Sequence, residues 1–250
     1  GIADNLLSAG SFLTPTGYGQ NQNAALWTGA ALTSDILAPV TVYADVIHGD
    51  AGFSGRARCR RQGWFADMAV EYTGLDWVTP QVLGWWGTGE DKSLTNGSER
   101  LPALTPAWGP RGSFLFNADQ ALTKASMNTT PQGSTGVVLN LDHISLLPRL
   151  TTLVAFSYAA GTNSPAGLRQ TVAATGGSGA YVTMGQDLAE GEQLFSAAWE
   201  HTYALTDAVN LIVETGWARG QGFRKSVWSR RLVDKAGDAW QGALGVIYRF

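Results

Sequence analysis

The side chains best suited to chemistry here are a tight group of arginines and a scattered set of carboxylates. Arg56, Arg58, Arg60 and Arg61 fall within six residues. Such a group can draw anions toward a pore mouth or pair with phosphate. Asp45, Asp67, Glu71, Asp142, Glu200 and Glu214 form the second set, with Arg249 nearly alone as counter-charge. Rings of carboxylates favour cations, while a plainer role is to solvate a watery wall. His48, His143 and His201 have neither cysteine neighbours nor paired spacing, so no metal centre is expected. Asp142-His143 and Glu200-His201 are sequence neighbours, which on a strand point to opposite sides. The glycine runs at Gly87 and Gly176 precede no predicted helix and are not phosphate cradles. No catalytic group, no cofactor and no enzymatic activity are expected.

The elements that carry these residues must be strands. Ten Trp and 31 Gly stand beside only 15% charged residues, where soluble domains carry about 25%. No stretch approaches the roughly 20 consecutive apolar residues of a membrane helix. A mean hydropathy of −0.05 is compatible with strands that alternate apolar and polar residues, because the average hides the apolar face. Cys59 stands alone, so no intramolecular disulfide is expected. A net charge of −3 points to no nucleic-acid partner. No basic-then-apolar leader opens the sequence, so a signal peptide is expected to have been removed or to lie further upstream.

The final segment, 238–250, sets Trp240, Gly242, Leu244, Val246, Tyr248 and Phe250 on one side. Gln241, Ala243, Gly245, Ile247 and Arg249 take the other. A wall between lipid and a watery lumen needs this division. Terminal Phe250, with Tyr248 two before it, resembles the aromatic signal that ends outer-membrane barrels. The same alternation recurs around Val42, Leu139, Val154, Trp199 and Val213. Short links at 33–38, 74–78, 146–149 and 205–207 alternate with long ones at 90–135, 161–191 and 220–237, with 48–56 a shorter member of the long set. Barrels in the outer membrane have that rhythm of short periplasmic turns and long extracellular loops.

The sequence therefore predicts an all-β fold: a transmembrane antiparallel up-and-down β-barrel of porin type, forming a single domain over 1–250. About nine strands are visible, the first near 24–32, with 113–117 able to hide one more. Anchoring the last strand at the periplasmic side leaves residues 1–23 as an extracellular segment. Bacterial barrels have an even number of strands, so the chain is expected to be the C-terminal portion of a barrel of about 16 strands. Trp27, Tyr72, Trp77, Trp199, Tyr203, Trp217, Trp240, Tyr248 and Phe250 are expected at the membrane interfaces. Of the adjacent Trp85 and Trp86, one must point inward. Trp64, Ala66, Met68, Val70 and Tyr72 read as lipid-facing, which puts Arg56, Arg58 and Arg60 outside unless a β-bulge near Arg60–Arg61 turns them into the lumen. The arginines thus face the lumen, lipopolysaccharide phosphates or a neighbouring subunit, or simply extend a solvated strand.

Arg61-Gln-Gly-Trp-Phe, Ala69-Val-Glu-Tyr, Asp76-Trp-Val-Thr-Pro-Gln-Val-Leu-Gly-Trp-Trp, Asn96-Gly-Ser-Glu-Arg-Leu-Pro, Gly161-Thr-Asn-Ser-Pro and the closing Asp238-Ala-Trp with Tyr-Arg-Phe together resemble the homotrimeric outer-membrane porins of sulfate-reducing bacteria. The resemblance runs from about Gly55 to the end. It implies a trimer of barrels in the bacterial outer membrane, in contact with lipid and lipopolysaccharide, that lets small hydrophilic solutes and ions diffuse passively. A small complete barrel acting as adhesin or enzyme, or a secreted β-rich domain, are the alternatives.

Overall fold

The computed structural model describes residues 25–52, 60–93, 95–102, 115–116, 122, 129–175 and 182–249. Among these residues, nine strands form one sheet in simple sequence order, each antiparallel to the next. They are β1 (Ala25–Leu37), β2 (Val40–Gly52), β3 (Arg60–Tyr72), β4 (Thr79–Gly87), β5 (Ser134–Leu147), β6 (Leu150–Gly161), β7 (Gln193–Ala204), β8 (Val209–Gln221) and β9 (Asp238–Tyr248). Among the described residues, two helices lie in the long connections, α1 (Pro165–Thr175) and α2 (Arg230–Val233). This is the expected up-and-down order, and β1 and β9 are its two edges among the described residues. β1 runs to Leu37, past the expected end at Leu32, so the first short link shrinks to a tight turn at 38–39. Leu115 and Phe116, where a further strand was possible, form a bend.

Strand register divides the sheet into two faces. β3 pairs with β2 without interruption from Arg60 to Tyr72, so its side chains alternate strictly. One face carries Trp64, Met68, Val70, Val82, Trp86, Val137, Leu139, Phe156, Trp240, Leu244 and Val246, all of them exposed. Soluble proteins put such residues in a core; a contiguous apolar surface on this scale is made to contact something apolar. The opposite face is divided along its length. Toward the short turns it carries carboxylates and amides. Toward the long connections it is covered by them.

That cover is the true core of the molecule. Phe65, Trp85, Val138, Ala159, Leu194, Ala198 and Ala218 from the strands pack with Leu101, Leu115, Phe116 and Leu188 from the connections. The Phe116 ring meets Trp85 edge-on, centroids 5.1 Å apart. Burying a phenylalanine this fully contributes about 2–3 kcal/mol. At Gly63 the loop backbone crosses so closely that a Cβ would overlap Glu99 and Arg100; only glycine fits under that crossing. A second cluster joins Leu168 of α1 to Val182, Ala189, Val227 and Trp228.

Candidate functional site

The inner face collects every acidic residue singled out from the sequence. Asp45 and Asp67 are register partners on β2 and β3. Glu200 and Glu214 are partners on β7 and β8. Glu71 pairs across to Gln81, and Asp142 follows from β5 opposite Thr79. Amides link part of the row: Gln81 Nε2 donates to Glu71 at 3.4 Å, and Asn140 Nδ2 donates to Gln81 Oε1 at 3.2 Å. Like charges directly opposite each other destabilise a sheet pair. One such pair, Asp45–Asp67, is partly exposed on both partners and therefore suits a wall bathed in water and counter-cations. Arg249 follows β9 at the same end, exposed, its N–H bonded to Ala208 O at 2.9 Å.

Glu214 differs from the rest. It is only 5% exposed, and its Oε1 accepts the backbone N–H of Leu122 at 2.9 Å. The Leu122 side chain lies over Gly245 of β9, where a Cβ would stand 2.6 Å from Leu122 Cδ2. The connection between β4 and β5 thus reaches the inner face at Trp85 through Phe116 and again at Glu214 through Leu122. This inward course was not read from the sequence. The signal available was Phe114-Leu115-Phe116, a run of three bulky apolar residues within the connection between β4 and β5.

The arginines separate. Arg61 is inside and 1% exposed, at the covered end of the sheet. Arg60 lies on the outer face, where it makes a forked contact to Asp50, Nε–Oδ1 3.2 Å and Nη2–Oδ2 2.5 Å. The regular β2–β3 register leaves no bulge to turn Arg60 inward, which corrects its place among the lumen candidates. Arg56 and Arg58 lie outside the described residues.

The aromatic residues sort with comparable clarity. Trp64 and Tyr72 on β3, Phe195 and Tyr203 on β7, and Trp240 and Tyr248 on β9 are each eight positions apart on the outer face. Eight residues of strand span about 26 Å, and about 20 Å once tilted by roughly 40°. The residues between them are aliphatic or small, apart from Trp199 and His201 on β7. Trp217 faces Trp240 with ring centroids 6.4 Å apart, and the Arg219–Asp238 ion pair lies two positions beyond, at 3.8 Å. Trp199 corrects the expectation for it: midway between Phe195 and Tyr203, with Val154 and Thr215 as partners, it sits at mid-span. Trp27 is also corrected. Its register with Gly49 puts it inside, where Nε1 donates to Pro102 O at 2.7 Å. Trp85 is the inward member of its pair and donates to Ser134 Oγ at 3.0 Å; Trp86 is exposed outside. Phe250 lies outside the described residues.

The histidines do not converge. His48 lies outside against Trp64, His201 lies outside beside Thr152, and His143 occupies the irregular stretch of β5 with φ 53°. No group of three metal-capable side chains forms among the described residues.

No protein-family model matches this chain. No curated protein matches it. Among solved structures the chain is similar to the outer membrane channel DcaP of Acinetobacter baumannii, at 12% identity and a TM-score of 0.45. The match covers 94% of this chain and 55% of that one, so the chain spans about half the length of the protein it matches.

Proposed function

We propose that this chain forms the wall of a porin: a water-filled channel in a bacterial outer membrane through which small hydrophilic solutes and ions diffuse passively. The observation that carries the reading is the outer face. It is predominantly apolar and bounded by aromatic rims eight residues apart on β3, β7 and β9. The height of about 20 Å between the rims on a tilted strand accounts for most of the roughly 25 Å apolar band of an outer-membrane barrel, and amphipathic rings suit its two boundaries. In a bilayer the edges that β1 and β9 leave among the described residues cannot stay unpaired. The wall is therefore completed by further strands, and about 16 in all would leave an aqueous channel. The carboxylates Asp45, Asp67, Glu71, Asp142 and Glu200 would give the lumen a mild preference for cations.

The wider reading is a homotrimer of such barrels, as the sequence resemblance implies. On it, Arg60, beyond Trp64 on the outer face, would lie level with lipopolysaccharide phosphates. The reading includes no catalysis, metal or cofactor. Planar-bilayer recording from the folded, purified protein tests it. Ohmic steps, with a reversal potential shifted toward the cation in a salt gradient, are expected. A protein that stays monodisperse in buffer without detergent and gives no conductance would overturn it.

A further inference from the structure

A group of buried charges at the covered end of the inner face plays no part in the proposed conduction. Arg100, from the β4–β5 connection, is 0% exposed and forms an ion pair at 2.8 Å with Asp187 of the β6–β7 connection. Arg100 Nη2 also donates to Gln132 O at 2.9 Å. The two connections are further stitched by Thr130 N–H to Gln186 O, Thr129 Oγ1 to Gly185 O, and Asn163 Nδ2 to Gly133 O.

Glu90 is the hub of this seam. Its backbone N–H donates to Asn163 Oδ1 at 3.0 Å, and its carbonyl accepts Ser164 N–H at 2.7 Å. One carboxyl oxygen is bonded by the Ser98 hydroxyl; the other has no hydrogen-bond partner among the described residues. The charged groups that face it are Arg61 from β3 and Arg100 and Glu99 from its own connection, with Asp187 balancing Arg100 from across the seam. The β6–β7 connection otherwise presents neutral Asn163, Ser164 and, against Glu90 Cβ, Gly167.

We infer that Glu90 is the proton-sensitive pin of a clasp between the β4–β5 and β6–β7 connections, closing them together when protonated and letting them part when ionised. A half-bonded carboxyl in a dry seam is acceptable as the neutral acid and costly as the anion. Burial accordingly lifts the Glu90 carboxyl from its ordinary value of 4.5 to about 8, against the opposing pull of Arg100 and Ser98. The raised value fixes the sign. Closure is fully favoured below the ordinary value and loses ground as pH rises through the raised one, by up to about tenfold per pH unit in between.

Amide hydrogen exchange on the folded protein in detergent micelles tests this without requiring a conducting channel. With rates corrected for intrinsic pH dependence, protection of residues 88–101 and 182–192 is expected to fall tenfold or more between pH 6 and pH 9. Glu90→Gln, which mimics the neutral acid, should keep its protection at pH 9. Asp187→Asn should already be less protected at pH 6. A wild-type protein with equal protection at both values, a Glu90→Gln variant that loses protection as the wild type does, or an unaltered Asp187→Asn would overturn the inference. The channel reading stands or falls separately on conductance.

Discussion

The two ends of the inner face are built on the same strands and the same alternation, yet they are different materials. Toward the short turns, Asp45, Asp67, Glu71 and Glu200 line that face half-exposed. Toward the long connections, Phe65, Trp85, Leu194 and Ala218 on that same face are sealed beneath Leu101, Leu115 and Phe116. β3 shows the change within one strand, from Arg61 and Phe65, both buried, to Asp67 and Glu71, both partly exposed. Alternation settles which side of the sheet a residue takes. What it meets there is decided by connections that belong to other hairpins.

The strongest way to break the contrast is to hollow out the covered end. Phe116→Ala should cost about 3–5 kcal/mol, the range for emptying a buried phenylalanine. It should be read as an earlier midpoint in denaturant, accompanied by larger conductance steps. A change within ±0.5 kcal/mol would mean that Phe116 is not core. The outer face provides the control, because it has no such division. Leu244→Lys, at a position 72% exposed and midway between Trp240 and Tyr248, should cost about 2–4 kcal/mol in a bilayer and be near neutral in water. The yield of folded protein in liposomes separates the two outcomes. The smallest effect belongs to the open end. Asp45→Asn relieves a like-charge pair and should gain at most about 1 kcal/mol, while moving the reversal potential toward zero. An unchanged reversal potential would deny the acidic row a part in ion preference.

Much of this was legible in advance, and the limits are instructive. Strand number, order and faces follow from the period-two pattern, as Val70, Leu139 and Trp240 illustrate. Trp27 was misplaced because its partner is Pro102, in a connection without periodicity of its own. Trp199 was misplaced because parity reports the face of a strand and not the height along it. Arg60 and Arg61 are adjacent, and only an uninterrupted register could show that one is outside and the other buried. The seam around Glu90 was invisible for a similar reason. Its members, Arg61, Glu90, Arg100, Asn163 and Asp187, lie on one strand and two connections, and no local spacing joins them.

The Arg100–Asp187 pair also bears on the order of assembly. Every strand pairs with its sequence neighbour, so each hairpin can find its register with little loop-closure entropy to overcome. The ion pair joins residues 87 positions apart and has nothing to close upon until β4, β5, β6 and β7 stand side by side. It belongs late in folding: a seal set on a finished wall, which would slow unfolding without hastening the pairing of strands.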